Sequence, residues 1–124
     1  MSDRRRAVAY LCTEDDPAGR DLCAEWCGQR AAIVGLAVDE VLVDTDSSVP
    51  LAERPGWARV VELVATGGVG AVITLNRGMV VYGVKGWHRM VAELDVQDVA
   101  LLTVGSAAHL PRVRVDCEPA EVVR

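Results

Sequence analysis

The sequence predicts an α/β fold of three layers, in which a mostly parallel sheet of four to five strands carries helices on both faces. Short runs rich in Val, Ala and Leu, typical of buried strands, alternate along the chain with segments whose apolar residues have helical spacing. Strands that alternate with helices form parallel sheets joined by right-handed crossovers. The 124 residues are 51 % hydrophobic, enough for one domain with its own core. We therefore predict a single domain with a basic lead-in (1–6), a core (7–104) and a C-terminal extension (105–124).

The predicted strands are short and almost wholly apolar. They lie at Ala7–Cys12, Val38–Asp44, Ala71–Leu75 and Val99–Val104, with a fifth at Leu110–Val115. Pro111 cannot donate a hydrogen bond to a neighbouring strand, so this fifth strand is expected on the edge of the sheet.

The first predicted helix begins at Asp16-Pro17, because Asp is a good N-cap and Pro fits a first helical turn. It ends at Gly35 or, as a competing stop, at Gly28. The residues expected on its apolar face are Leu22, Cys23, Trp26, Cys27, Ile33 and Val34.

Two further helices show the i, i+3, i+4, i+7 spacing of one buried face. The second opens at Arg54-Pro55-Gly56 and ends at Gly67-Gly68. Its expected core residues are Trp57, Val60, Val61 and Val64. The third follows a long connection, Asn76–Gly86, and its expected core residues are Trp87, Met90, Val91 and Leu94.

The charge of the chain limits its partners. The formal net charge is −5, and the one basic cluster, Arg4 to Arg6, is expected to be a solvated lead-in. DNA binding by this domain alone is therefore not expected, because phosphate attraction needs clustered Lys and Arg. The apolar runs are shorter than the ~20 residues that a membrane-spanning helix needs, so we predict no membrane segment. The chain is expected to be cytoplasmic, with its four cysteines reduced.

Four polar segments follow the predicted strands directly. They are Thr13-Glu14, Asp44-Thr45-Asp46, Asn76-Arg77 and Gly105-Ser106. Parallel α/β sheets place functional groups beyond the carboxyl ends of their strands, so a site is expected at this edge.

Motifs at three of these strand ends resemble those of the N-terminal catalytic domain of serine recombinases, the resolvase and invertase family. That family opens with a strand similar to Y-x-R-V-S-T, where this chain has Tyr10-Leu11-Cys12-Thr13. Its second strand and loop resemble Gly35 to Ser48, and its R-P-G motif matches Arg54-Pro55-Gly56. Its L-D-R-L-x-R motif resembles Leu75 to Val80. The resemblance spans about residues 7–104 and implies a resolvase-like fold.

The departures from the family pattern bear on activity. In the family a serine attacks a DNA phosphate, and several arginines stabilise the transition state. This chain has no serine near Cys12, where the first-strand arginine falls or is deleted. Asn76 replaces an Asp and Val80 an Arg. A phosphoryl-transfer site without its nucleophile and half of its cations loses most of its rate, so recombinase activity is expected to be absent.

The remnant family positions are Thr13, Arg54, Asn76 and Arg77. Thr13 or Cys12 could replace the nucleophile, but Thr at a strand end more often caps a turn and Cys there is more often core. Arg54 and Arg77 are candidates for binding an anion. The alternative is that they pair with Asp44, Asp46 or Glu14.

The cysteines give no convincing metal site. Cys23 and Cys27 are four apart, so they share a helix face, and with His88, His109 or Cys117 they could bind a metal. Because they lie within an apolar face, we expect core thiols and predict neither a metal nor a cofactor.

Two classes of function follow. The first is a non-catalytic recombinase-like domain that acts in binding, oligomerisation or regulation, as a homodimer or with a protein partner. The second is a DNA recombination enzyme or accessory factor in which Arg54 and Arg77 clamp a phosphodiester and Thr13 is the nucleophile.

Overall fold

A computed structural model describes residues 6–81 and 83–104. Its strands are β1 (Arg6–Cys12), β2 (Ala37–Asp44), β3 (Ala71–Thr74) and β4 (Ala100–Thr103). Its helices are α1 (Pro17–Ile33), α2 (Pro55–Ala65) and α3 (Val84–Val96), and single 3-10 turns lie at Leu51–Glu53 and Arg77–Met79. The predicted β-α-β-α-β-α-β order is confirmed. The predicted fifth strand, Leu110–Val115, lies outside the described residues.

The four strands form one parallel sheet in the order β2-β1-β3-β4. Helices α1 and α2 both pack on β1 and β2. The residues of β1 from Ala7 to Leu11 are at most 1 % exposed, although successive side chains of a strand point to opposite faces. Helices therefore cover both faces of β1, and the predicted three-layer α/β fold is confirmed.

Both ends of α1 follow local sequence signals. The Asp16 carboxylate accepts a hydrogen bond from the Gly19 amide at 2.8 Å, and Pro17 occupies the first turn. At the other end Gly35 has a φ of +80°, which favours glycine. The amides of Gly35 and Leu36 donate to the carbonyls of Ala32 and Ala31, so the helix closes with a Schellman motif. Of the two predicted ends, Gly35 is confirmed.

The predicted apolar face of α1 is wrong in part. Leu22, Trp26 and Ile33 are 45 %, 40 % and 71 % exposed. The buried face consists instead of Cys23, Cys27, Arg30 and Ala31. At about 100° per residue the three large side chains project to one flank, and the smaller Cys and Ala side chains face the sheet.

Helices α2 and α3 bury most of the residues that their spacing predicts, and Val61 is the exception. Trp57, Val60 and Val64 are buried in α2, but the predicted core residue Val61 is 51 % exposed. Gly67, with a φ of +75°, ends α2 as predicted. In α3, Trp87 and Leu94 are buried and Met90 and Val91 are half-buried. The helix begins at Val84, earlier than the predicted Gly86–Trp87 boundary, because Gly83 at a φ of +89° already turns the chain.

Strand β2 is an edge strand protected by charge. Arg6, predicted as part of a solvated lead-in, begins β1 and forms an ion pair with Asp39 of β2. Arg59 of α2 reaches Glu40 at 3.4 Å. Charged side chains on an edge strand discourage pairing with another chain. In the described part of the chain, no helix has the length and apolar character needed to cross a membrane.

Candidate functional site

The carboxyl ends of β1 and β2 meet at the site edge predicted from the sequence. Cys12 and Asp44 are register partners, and the Thr13 amide donates to the Asp44 main-chain carbonyl at 2.9 Å. Tyr10 is two residues before Cys12 in β1, so the two side chains point to the same face of the sheet. The Tyr10 ring packs edge-on against Trp57, with centroids 5.1 Å apart. This side of β1 therefore faces α2.

The Asp44 carboxylate caps helix α2 from the neighbouring strand. Oδ1 accepts from the Gly56 amide at 2.8 Å, and Oδ2 accepts from the Trp57 amide at 3.0 Å. Arg54, the N-cap residue by position, provides no side-chain cap. Asp44 thus satisfies two amides that a helix start leaves without partners, and its negative charge lies at the positive end of the helix dipole.

We expect Gly56→Ala to lower the free energy of unfolding by about 2 kcal/mol, because overpacking of a fixed neighbour is destabilising. A Cβ at Gly56 would lie 2.7 Å from Asp44 Oδ2 and 2.9 Å from Asp44 Cγ. Urea unfolding measures the change. The matched control is Gly28→Ala inside α1, where a Cβ meets nothing within 4 Å. That change should stabilise by about 0.5–1 kcal/mol. Equal effects at both positions would contradict the close approach at Gly56.

Arg54 is buried, with 4 % of the residue exposed, and it bonds to protein acceptors. Its Nε donates to the Val49 carbonyl at 2.8 Å, and Nη2 donates to the Ser47 carbonyl at 3.0 Å. Its Nη1 donates to the Met79 carbonyl at 2.7 Å and to the Tyr10 hydroxyl at 3.3 Å. The alternative prediction, that Arg54 pairs with a carboxylate, is wrong for these four bonds, because their acceptors are three main-chain carbonyls and one hydroxyl. The guanidinium joins the β2–α2 connection to the β3–α3 connection.

Tyr10 completes this network. Its hydroxyl donates to Asp44 Oδ2 at 2.8 Å and accepts from Arg54. Burial of the phenol raises the pKa of Tyr10 well above its usual range. The side chains of Tyr10, Asp44 and Arg54 therefore form a buried, mutually satisfied triad, which we call the Tyr10 triad.

Thr13 and Asn76 lie in local turns. The Thr13 hydroxyl oxygen accepts from the Asp15 amide at 3.1 Å, the turn-capping arrangement weighed as the alternative to a nucleophile. Asn76 is exposed, and its main-chain carbonyl accepts from the Met79 amide at 3.2 Å.

Arg77 begins the 3-10 turn whose last residue, Met79, accepts a hydrogen bond from Arg54. Its guanidinium carbon is 5.4 Å from the centre of the Trp87 ring, a cation–π contact. It lines a cavity of about 180 Å³ together with Gly78, Val81, Gly83 and Val84.

Acidic side chains dominate the exposed part of this edge. Glu14, Asp15, Asp16 and Asp46 are exposed. Hydrogen bonds from the Ser48 hydroxyl and amide hold the pKa of Asp46 below its usual range, so this carboxylate is charged at neutral pH.

The cysteines of the described residues are free thiols. Cys12, Cys23 and Cys27 are buried, and burial raises the pKa of each thiol. Core packing of Cys23 and Cys27 is confirmed, and exposed His88 lies elsewhere, on α3. Residues 6–81 and 83–104 contain no group of three potential metal ligands. His109 and Cys117 lie outside these ranges.

We expect stability to fall as the pH increases from about 9 towards 12. Burial raises the pKa of the Cys27 thiol from its ordinary 9.0 to about 12. Between these values the unfolded chain has lost a proton that the folded chain keeps, so deprotonation favours unfolding. Below pH 9 the contribution is fully present. Urea unfolding at pH 8, 9 and 10 tests this, with Cys27→Ala as the variant in which the decrease should be smaller. An equal decrease in both proteins would exclude Cys27 as its source.

Sequence reasoning missed the structural roles of Tyr10, Asp44 and Gly56. The sequence places Asp44 at the site edge as a possible partner of an arginine, and Tyr10 in the first-strand motif, but neither position predicts a helix cap. One signal was available, because a glycine in the first turn of a helix, next to a strand ending in Asp, allows close approach of a carboxylate. Arg30, also missed, is buried in α1 and donates from Nε to the Thr103 carbonyl at 3.1 Å.

The fold is that of serine recombinase catalytic domains, as the sequence motifs predicted. The structure matches the C-terminal catalytic domain of ISC1926 TnpA, an IS607-like serine recombinase, with a TM-score of 0.66 and 23 % identity. That match covers 83 % of this chain and 72 % of the other. It matches the N-terminal catalytic domain of TP901-1 integrase with a TM-score of 0.65 and 14 % identity, over 84 % of this chain and 85 % of that one.

A serine recombinase from Sulfolobus solfataricus matches with a TM-score of 0.54 and 13 % identity, over 86 % of this chain and 74 % of the other. No protein-family model matches the sequence, and no curated protein matches it either. At these identities the comparisons establish the fold.

Proposed function

We propose that this chain is a catalytically degenerate serine-recombinase-like domain that works as a non-enzymatic binding, oligomerisation or regulatory module. The observation that carries the proposal is that Arg54 is buried and bonded to acceptors of the protein itself. Four hydrogen bonds to the protein occupy its guanidinium, and only 4 % of the residue is exposed. An arginine held in this way is a poor phosphate clamp, since it would have to break those bonds to reach a substrate.

The nucleophile positions support the same proposal. Thr13 uses its hydroxyl oxygen in a turn, and the raised pKa of buried Cys12 disfavours its thiolate. The acidic side chains around the edge further oppose approach of DNA.

The test is a search for a covalent protein–DNA adduct. The purified full chain is incubated with supercoiled plasmid, quenched in SDS and examined by gel for DNA linked to protein. We expect none, including for Thr13→Ser, which restores a primary hydroxyl at this position. An adduct that is lost in Thr13→Val or Cys12→Ala would overturn the proposal. Light scattering on the same protein measures whether it self-associates, as an oligomerisation role requires.

The alternative is a DNA recombination enzyme or accessory factor that acts on a phosphodiester. Arg77 is the observation in its favour, because it is only half-buried and borders a cavity near the amino end of α3. This alternative predicts that Arg77→Ala weakens binding of a short DNA duplex, whereas Arg89→Ala, which removes an exposed arginine of α3, does not. Fluorescence anisotropy at two salt concentrations distinguishes the two functions.

A further inference from the structure

The charges of α3 are arranged against the dipole of the helix. Lys85 lies in the first turn and Asp95 in the last, and the helix has no acidic residue in its first turn and no basic residue in its last. The amino end of a helix is its positive end, so cations there and anions at the carboxyl end are unfavourable. Lys85 and Arg89 are also four residues apart, a spacing at which like charges repel. These charges therefore do not stabilise α3 within one chain.

The rest of the domain does not neutralise them. Lys85, Arg89, Glu93 and Asp95 are exposed. Over residues 6–81 and 83–104 the ion pairs lie on β1, β2 and α2, and none of them includes a residue of α3. Arg89 precedes Glu93 by four residues, the less favourable order for an ion pair within a helix. The charges of α3 are thus left for a contact outside this domain.

An exposed stripe runs along the side of α3 that faces away from the sheet. It consists of four residues at the spacing i, i+4, i+7 and i+11, which are Lys85, Arg89, Ala92 and Val96. All four are exposed, and Val96 is 86 % exposed. At about 100° per residue the stripe covers an arc of about 60° and lies opposite buried Trp87 and Leu94. Glu93 borders the stripe beside Arg89, and we call these five exposed residues the α3 face.

We propose that the α3 faces of two copies of this chain pack against each other, antiparallel about a two-fold axis. Such an axis brings residue i of one copy to residue j of the other, and j to i. An axis beside residue 91 places Arg89 next to the partner's Glu93, and Glu93 next to the partner's Arg89. Small Ala92 lies close to the axis and allows the helices to approach. Val96 packs on the aliphatic stem of the partner's Lys85.

A second copy fits this face because the face is complementary to itself. Antiparallel helices bring the basic amino half of one α3 to the acidic carboxyl half of the other, so the charges that are unfavourable within one chain attract between chains. The helix has 13 residues and is about 20 Å long. This contact is smaller than the about 800 Å² per partner of a stable interface, so association is expected to be weak and sensitive to salt. The inference rests on the oligomerisation role in the proposed function and assigns a surface to it.

Sedimentation velocity of the purified full chain, over a range of protein concentrations at low and at high salt, measures the association. We expect a monomer–dimer equilibrium that high salt shifts towards monomer. Arg89→Glu and Glu93→Arg should each raise the dimer Kd about tenfold or more, because the symmetry places each change at two contacts. The matched control is Glu25→Arg on the exposed surface of α1. It changes the net charge as Glu93→Arg does and should leave the Kd unchanged.

A mixture of the two single variants provides the sharper measurement. Arg89→Glu has two acidic residues on its α3 face and Glu93→Arg has two basic ones, so each variant repels itself but complements the other. An equimolar mixture should form a heterodimer with a Kd close to that of the unchanged chain, which also shows that both variants are folded.

Three outcomes overturn the inference. The first is an unchanged chain that stays monomeric at low salt, and the second is a mixture of the two variants that stays monomeric. The third is dimerisation that both single variants retain, which would leave the oligomerisation role to another surface. The proposed function fails on a different readout, the covalent protein–DNA adduct, so the two failures are distinguishable.

Discussion

Replacing Asp44 with alanine is expected to lower the free energy of unfolding by about 3–5 kcal/mol, a large part of the stability of a small domain. The carboxylate accepts hydrogen bonds from the Gly56 and Trp57 amides and from the Tyr10 hydroxyl. Alanine leaves all three donors without this partner, and each buried donor so orphaned costs about 1–3 kcal/mol. Urea unfolding followed by circular dichroism provides the measurement.

Two comparisons separate the cap from a general charge effect. Asp44→Asn keeps the size of the side chain but turns one acceptor oxygen into a donor, so an intermediate loss is expected. Asp21→Ala removes the same charge from an exposed position of α1 and should change stability by less than about 0.5 kcal/mol. Equal losses of unfolding free energy in Asp44→Ala and Asp21→Ala would contradict the role of the Asp44 carboxylate as the cap of α2.

Arg54→Met is expected to cost about 3 kcal/mol of folding stability while leaving any binding of inorganic phosphate unchanged. Methionine retains the apolar stem but removes the donors to the Ser47, Val49 and Met79 carbonyls and to Tyr10. Arg54→Lys should lose less stability than Arg54→Met but more than the unchanged chain. An ammonium group keeps the charge but lacks the planar guanidinium that donates to several acceptors. Unfolding in urea and phosphate titration by NMR measure the two effects separately.

The opposite pattern would identify Arg54 as a binding residue. Weakened phosphate binding with less than about 1 kcal/mol of lost stability would contradict the structural role and favour the phosphodiester alternative. Arg59→Met is the matched control, since Arg59 is exposed and bonded to Glu40 and Glu62 at the surface. Replacing it should leave the stability nearly unchanged, because exposed ion pairs contribute little.

The fold was predictable because its signals are local and agree with one another. Pro17 and Gly35 bound α1 by backbone chemistry alone, and the spacing of Trp57, Val60 and Val64 fixes the buried side of α2. The buried side of α1 was harder, because it depends on which residues are small enough to approach the sheet. Large Leu22 and Trp26 lie outside, while Cys27 and Ala31 face the strands.

The site was predictable in position but not in bonding. Its location follows from parallel topology, which brings the ends of β1 and β2 together. The contacts of Arg54 are long-range, since Met79 and Tyr10 are 25 and 44 residues away in the chain. No spacing in the sequence reports whether a guanidinium faces carbonyls, a carboxylate or a ligand.

Arg54 has a further consequence for local opening of the chain. Its guanidinium bonds to carbonyls in two separate connections, at Ser47 and Val49 before α2 and at Met79 before α3. When the hydrogen bonds to one connection break, the Arg54 guanidinium that also bonds to the other connection becomes exposed. The two segments therefore share one opening free energy. In native-state hydrogen exchange they should behave as a single cooperative unit, and only replacement of Arg54 should let them exchange independently.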